Sequence, residues 1–376
     1  MYPFKQCNLL PIHEISNWGC IIVRQQTFFC VTRFCLYQFS FISTAFNTFE
    51  RNHKMNRVTV FTSGGDAPGM SACLRAVVKT ALLHNLEVFG IVRDYSGMVL
   101  GNFIPFDFNT VSNIIQRGRT ILKSACCEEF RTVKGRAKAA AQLKKFNTDE
   151  VVAIGGDGTF TGAQIFAKEH GIPYIGCPGT IDNDLFGTDY TIGHDKSLNI
   201  VIEAVDKIRD TADVHDRLFF VEVMVRDAGF IEQRSGIAVG ADSVLIPETE
   251  TLVESLIKRL EVERSHQKTR FMVIVAEGDC GGGVYEVARK VKEKYNHYET
   301  KVTELGHIQR GGSASAADRV LAGMLGKAAV EALLEGEMNQ MAGVINRKLV
   351  FANFEKAIKH HRKINKDLLN LAESLA

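Results

Sequence analysis

From Arg57 onward the chain alternates short apolar runs with segments whose apolar positions recur every three to four residues. The runs at 58–62, 88–92, 151–154, 174–177, 218–224, 243–246 and 272–276 read as buried strands, each too short for a helix. Between them, 70–85, 135–146, 196–212, 284–295 and 316–334 carry one apolar face and read as amphipathic helices, and a last helix is expected over 354–376. Strands and helices in alternation are how a parallel sheet covered on both faces is written. The expected architecture is therefore α/β, two-lobed and three-layered (α/β/α), with mostly parallel sheets. The lobes are expected over 55–193, completed by a returning C-terminal segment, and over 194–376. The cationic stretch 359–363 reads as a solvated helix face.

Residues 1–54 break the pattern. They hold four of the nine cysteines, eight of the 24 phenylalanines and the single tryptophan, Trp18, with five basic against two acidic residues. Arg24, Gln25, Gln26 and Arg33 interrupt their apolar stretch, so it does not read as a membrane span. The basic, apolar and small-residue order of a secretory signal is missing. The expectation is a non-native or disordered extension ahead of a start at Met55, an aggregation liability if made.

Composition narrows the class. The 376 residues carry 45 basic and 43 acidic side chains, a balance that argues against a nucleic-acid binder, which needs a concentrated basic face. With 45% hydrophobic and 23% charged residues the chain reads as an ordinary globular protein. The cysteines lack metal-ligand spacing, which points to reduced thiols in the cytoplasm.

Four segments carry candidate chemistry. Ser63-Gly64-Gly65-Asp66-Ala67-Pro68-Gly69-Met70 and Gly155-Gly156-Asp157-Gly158-Thr159 each follow an apolar run and open a helix. Paired glycines let backbone approach a ligand, and the amides of the following helix attract phosphate oxygens. Asp157 would repel phosphate unless a cation intervened, which suggests a bridging Mg²⁺. Each loop alone is equally a tight turn with a capping Asp. In Thr180-Ile181-Asp182-Asn183-Asp184 two carboxylates at i and i+2 suit a base that takes a hydroxyl proton, or an Asx-rich turn. Leu305-Gly306-His307-Ile308-Gln309-Arg310-Gly311-Gly312 suits a phosphate-ester clamp built on His and Arg. No Walker lysine motif or protein-kinase catalytic loop accompanies them.

In this order the four segments resemble the bacterial-type ATP-dependent 6-phosphofructokinase family, from about Met55 to Lys348. A GGDGT loop also occurs in NAD kinases, a reading that leaves TIDND and HIQRGG unexplained. The resemblance implies the phosphofructokinase fold, a homotetramer whose subunits share active sites, and transfer of the γ-phosphoryl of ATP to the 1-hydroxyl of fructose 6-phosphate with Mg²⁺. It implies that Gly65, Cys126, Cys127, Gly156, Asp157, Gly158 and Thr159 line the ATP site, with Asp157 on the metal and Asp184 near it. Asp182 would be the base, with Thr180 and Arg226 as catalytic partners. Ile181, Met224, Val225, Glu277, His307, Ile308, Gln309 and Arg310 would face the sugar phosphate, and Arg217 and Lys301 would reach it from an adjacent subunit. Arg75, Lys79, Arg117 and Arg209 would bind an effector. Glycine at 158 and 179, where pyrophosphate-dependent members carry Asp and Lys, implies ATP as donor, by analogy.

Departures from the family pattern fall near the site. Cys126 stands where the family has an arginine that bridges the phosphates, and Arg119 replaces a turn glycine, where a side chain is expected to strain the backbone. Arg119 reaching the place vacated at Cys126 is one reading of the pair. Val225 replaces a glycine beside the sugar, and Lys301 replaces an arginine and loses its bidentate fork. These changes predict persistent pockets with reduced catalysis. The alternative is a regulatory paralogue that binds sugar phosphate or nucleotide without turnover.

Overall fold

The computed structural model describes residues 55–125, 127–211, 217–225, 228–249, 253–278 and 282–375. The expectations for residues 1–54, Cys126 and Arg226 lie outside the described residues. Among the described residues the strands are β1 (Arg57–Thr62), β2 (Glu87–Ile91), β3 (Phe103–Phe106), β4 (Glu150–Gly155), β5 (Tyr174–Pro178) and β6 (Arg217–Val223). They continue with β7 (Ser243–Leu245), β8 (Arg270–Ala276), β9 (Glu299–Glu304), β10 (Gln340–Ile345) and β11 (Lys348–Asn353). The helices are α1 (Met70–Leu83), α2 (Asp94–Leu100), α3 (Val133–Lys145), α4 (Asp157–His170), α5 (His194–Asp210) and α6 (Phe230–Ala238). After them come α7 (Val253–Ser265), α8 (Val284–Lys294), α9 (Ala316–Leu334), α10 (Phe354–Lys359) and α11 (Lys366–Leu375).

The larger sheet runs β11-β10-β5-β4-β1-β2-β3, with parallel inner strands and one antiparallel strand at each edge. The smaller, β7-β8-β6-β9, is parallel throughout. The chain leaves the larger sheet after β5, builds the smaller one, and returns through α9 to add β10 and β11.

Alternation along the strands sets the layers. Val58 and Val60 of β1, with Val152 and Ile154 of β4, pack in one cluster with Leu74, Val77 and Val78 of α1 and with Leu325 and Ala329 of α9. Phe61, Val151 and Ala153 point to the other face, onto Leu143 of α3, Phe160 and Phe166 of α4 and Phe354 of α10. Burying each of these large side chains stabilises the fold by about 1.5–3 kcal/mol. α9 lies so close to α1 that a Cβ on Gly326 would stand 2.7 Å from the Cys73 carbonyl oxygen. The first cluster continues through Val201 and Val205 of α5 to Phe219, Val221 and Ile274 of the smaller sheet, so one apolar core runs through both sheets.

Four strands have no counterpart in the apolar runs. β3 contains Pro105 and lies at a sheet edge, where a missing donor is tolerated. β9, Glu-Thr-Lys-Val-Thr-Glu, is a largely polar edge strand. β10 and β11 form a hairpin around Asn346 and Arg347, both at positive φ (50° and 64°), as a two-residue turn requires. The expected last helix is two, α10 and α11. Between them the Arg362 amide donates to the Asp184 carbonyl at 2.9 Å and its Nη1 to the Asp189 carbonyl at 2.6 Å. The stretch read as a solvated helix face is therefore a strap across the Asp182 loop, with Arg362 packed 5.2 Å from the Phe230 ring centre.

Candidate active site

β1, β4 and β5 are adjacent and parallel, so the loops that follow them emerge at one edge of the larger sheet. The ends of β6, β8 and β9 bring Met224, Glu277 and His307 to a cleft from the smaller sheet. Crevices beyond the carboxyl ends of parallel strands are the usual ligand sites of such sheets. Two clefts form here. One, of ≈ 420 Å³, takes in Gly156, Asp157, Gly158, Thr159, Asp182 and Asp184. The other, of ≈ 860 Å³, takes in Asp66, Arg119, Met224, Val225, Glu277 and His307. Gly64, Gly65, Ser124 and Arg310 line both, so the clefts meet along the first glycine loop.

The Asp182 loop is fixed almost residue by residue. Thr191 Oγ1 donates to the Thr180 carbonyl at 2.7 Å, and buried His194 donates from Nδ1 to the Ile181 carbonyl at 2.8 Å. Burial holds the His194 imidazole down at about 4, so it is neutral, and the carbonyl partner assigns the proton to Nδ1. Asn183 takes a left-handed conformation (φ 56°), and its amide donates to the Asp189 carbonyl at 3.2 Å. Thr180 Oγ1 donates to Asp182 Oδ2 at 3.2 Å and accepts from the Asp182 amide at 3.3 Å. The second carboxylate oxygen, Oδ1, is buried without a hydrogen-bond partner among the described residues. Burial, reinforced by the charges of Asp182 and Asp157, pushes the Asp184 carboxyl up to about 6. A buried, mutually repelling carboxylate set can serve a base or a cation.

The HIQRGG segment forms a 3-10 turn, Gly306–Arg310, and its residues divide by direction. His307 and Arg310 face the larger cleft. Gln309 points inward: it accepts from the Met224 amide at 2.6 Å, returns a bond to the Met224 carbonyl at 3.3 Å and reaches Ser197 Oγ at 3.4 Å. Its amide holds Met224, and Gln309 lines neither cleft. Ile181 is likewise buried in the apolar core, and Ile308 is exposed without lining either cleft.

Glycine at 158 leaves open space around a would-be Cβ, whereas a Cβ on Gly179 would stand 3.1 Å from Met70 Cε and 3.2 Å from Ile154 Cγ2. The room argued from two glycines thus belongs to Gly158, and Gly179 answers to core packing. Arg119 is not among the non-glycine residues at positive φ, so the strain expected there is not found. Val225 is buried at the cleft wall, and Cys127 lines the smaller cleft.

Arg217 and Lys301 line neither cleft of their own chain. Arg217 opens β6 at the end opposite Met224, about 23 Å along the strand at ~3.3 Å per residue. It pairs with Glu299 at 3.0 Å, and Lys301 pairs with the same glutamate at 2.5 Å. Arg209 lines a separate cleft of ≈ 380 Å³ with Lys268 and Arg270, while Arg75, Lys79 and Arg117 do not reach it within one chain.

Sequence reasoning missed Asp94 and Tyr95. Asp94 is buried and pushed up to about 6 by that burial, against hydrogen bonds from the Ser63 hydroxyl and the Tyr95, Gly64 and Ala125 amides. It gathers both glycine-loop and Ala125 backbone under the smaller cleft. Tyr95 donates to the Thr159 carbonyl at 2.7 Å and stacks on Phe130 at 3.9 Å. Their one sequence signal is a polar cluster directly after the apolar run of β2.

Comparison with known proteins agrees with this geometry. A family model described as phosphofructokinase matches residues 57–333. The chain is 55% identical over 321 residues to an ATP-dependent 6-phosphofructokinase of Cytophaga hutchinsonii, covering 85% of this chain and 98% of that protein. It is 48% identical to ATP-dependent 6-phosphofructokinase 1 of Thermus thermophilus, covering 86% and 100%. Among solved structures, Pichia pastoris phosphofructokinase in the T-state superposes with a TM-score of 0.78 at 34% identity, over 85% of this chain and 37% of that longer one. A pyrophosphate-dependent phosphofructokinase of Marinobacter aquaeolei shares the fold, with a TM-score of 0.73 at 22% identity over 85% and 91%. On the breadth of these matches and the site they enclose, the chain belongs to the phosphofructokinase family.

Proposed function

We propose that this chain is an ATP-dependent 6-phosphofructokinase that transfers the γ-phosphoryl of ATP to the 1-hydroxyl of fructose 6-phosphate. The observation that carries the reading is the meeting of two clefts at Gly64, Gly65 and Arg310, with Oδ1 of Asp182, in the smaller cleft, buried without a partner among the described residues. The smaller cleft takes the nucleotide phosphates, and the open space at Gly158 gives an α-phosphate room. The larger takes the sugar phosphate, with His307 and Arg310 as its donors. Asp182 accepts the proton of the 1-hydroxyl as that oxygen bonds to the γ-phosphorus and ADP departs.

Asp157, at the first position of α4, is the residue to hold Mg²⁺, with Asp184 near it. Magnesium binds through one or two carboxylates plus substrate phosphates, keeping several waters. That suits a cleft where, among the described residues, no group of three His, Cys, Asp or Glu side chains could hold an ion. When bound, the ion offsets phosphate charge. The carboxylate field that raises Asp184 supports a cation at this place.

Arg217 and Lys301, remote from their own clefts, serve the neighbour's sugar site in a homotetramer, and Arg209 with Lys268 binds an anionic effector completed by Arg75, Lys79 and Arg117. Among the described residues no helix is long and apolar enough to cross a membrane, and a cytoplasmic setting accords with the free thiols of Cys73, Cys127 and Cys177. A coupled assay with Mg²⁺ and fructose 6-phosphate tests the reading. Turnover with ATP and none with pyrophosphate is expected; no turnover with ATP overturns it.

A further inference from the structure

Arg119 combines a pinned backbone with a loose side chain. Gly118 beside it packs against the Gly312 carbonyl, leaving no room for a Cβ. The Ser71 hydroxyl donates to the Arg119 carbonyl at 2.8 Å. The Thr120 amide donates to Asp66 Oδ1 at 3.2 Å, and its hydroxyl meets that of Thr62 at 2.9 Å. The segment is thus tied to β1, α1 and the HIQRGG turn, and the arginine sits in it without a positive φ. Its side chain is 89% exposed, lines the larger cleft, and stands with Nε 3.9 Å from Asp66 Oδ2.

Asp66 lies between two guanidiniums. Burial raises its carboxyl, and the Thr120 amide, Arg119 and Arg310 each offset part of that rise. Arg310 Nη1 is 3.5 Å from the Asp66 carbonyl oxygen, and the Arg310 guanidinium lies over Gly65, on the line where the clefts meet. Arg119 therefore waits one residue from that line, held by an exposed ion pair at the limit of contact, which is weak.

We propose that Arg119 is a catalytic residue of this enzyme, leaving Asp66 to place its guanidinium on the transferring phosphoryl group. The proposal rests on the reading of the site as one of γ-phosphoryl transfer. In that reaction negative charge spreads over three equatorial oxygens, and catalysis is chiefly positioning and electrostatic stabilisation of that charge. A planar guanidinium meets two such oxygens at once, which the carboxylate of Asp66, already bonded to the Thr120 amide, matches poorly. Among the described residues, the basic side chains lining the larger cleft are Arg119, His307 and Arg310. With His307 and Arg310 assigned to the sugar phosphate, Arg119 is the remaining cation of that cleft among the described residues, while Arg131 lines the smaller cleft on the nucleotide side.

The test is steady-state kinetics of full-length Arg119→Ala with Mg²⁺, ATP and fructose 6-phosphate. Arginines in this role contribute roughly 10³–10⁵ in rate, so kcat is expected to fall at least about 100-fold while both KM values stay within about 3-fold. Added guanidinium ion is expected to raise the variant's rate saturably without accelerating the parent, and Arg119→Lys to retain part of kcat. The thermal midpoint is expected to be unchanged, since the side chain is exposed. A kcat within about 3-fold of the parent's, or a loss confined to KM, overturns the proposal and leaves the phosphofructokinase reading intact. A loss of kcat that guanidinium does not relieve and that comes with a lowered thermal midpoint also overturns it. A parent that does not turn over overturns the reading first and the proposal with it.

Discussion

Glu232 offers a stability test whose size follows from burial. It lies in the first turn of α6, is wholly buried, and neither carboxylate oxygen has a side-chain hydrogen-bond partner among the described residues. Burial pushes its carboxyl well above the ordinary 4.5, and the charges of Glu248, Asp182 and Glu277 push the same way. Between the ordinary value and the raised one, the folded chain therefore keeps this proton while the unfolded chain has released it. Above 4.5 and below the raised folded value the native state binds one proton more, so this group makes stability fall as pH rises. Inside that window the slope approaches about 1.4 kcal/mol per pH unit. A buried polar group without a partner costs about 1–3 kcal/mol more even when neutral. Glu232→Leu removes both effects at similar volume. In urea unfolding at fixed protein concentration, the variant is expected to be more stable by about 1–3 kcal/mol near pH 5, and its advantage to grow with pH through that window at up to about 1.4 kcal/mol per unit. Glu232→Gln keeps the polar group and removes the proton, so it is expected to show the growth without the constant gain. Asp94, Asp184 and Glu150, raised to about 6, 6 and 7, tilt parent and variant alike and cancel in the difference. A parent–Leu difference that does not grow with pH anywhere above 4.5 would refute the reasoning.

Three further outcomes bear on the site. Asp182→Asn is expected to lower kcat by roughly 10²–10⁴ with little change in thermal midpoint, measured by the coupled assay and calorimetry; an unchanged kcat removes Asp182 as the base. Gly118→Ala drives a Cβ into the Gly312 carbonyl, backbone against backbone, and is expected to cut kcat/KM by about 10- to 100-fold, because it parts the Arg119 segment from the HIQRGG turn. Gln309→Ala leaves the Met224 amide and carbonyl without their partner, so about 2–4 kcal/mol of stability is expected to be lost in urea titration, with a raised KM for fructose 6-phosphate.

What the sequence determined is local. The apolar runs marked the strands that became β1, β2, β4, β5, β6, β7 and β8, because buried parallel strands are apolar on both faces. The glycine and acidic loops after them were legible as ligand loops because their residue types are chemically unusual after an apolar run. Three of the four edge strands were not: β3, β9 and β11 pair with a neighbour on one side only, so their residues need not be apolar, whereas the edge strand β7 was marked by its apolar run and the interior strand β10 was not. Side-chain direction was also beyond the sequence. Gln309 and Arg310 are adjacent, yet the turn that carries them sends one amide inward to Met224 and one guanidinium over Gly65. The last 23 residues read as one helix because their periodicity permits it; the hydrogen bonds of Arg362 to Asp184 and Asp189 decide otherwise. Arg119 shows the division most clearly. As a letter it is an arginine where a turn would take glycine, and it acquires a candidate role because Gly312, Ser71 and Thr62, distant in the chain and close in space, fix the backbone of its segment and leave its charge facing the cleft.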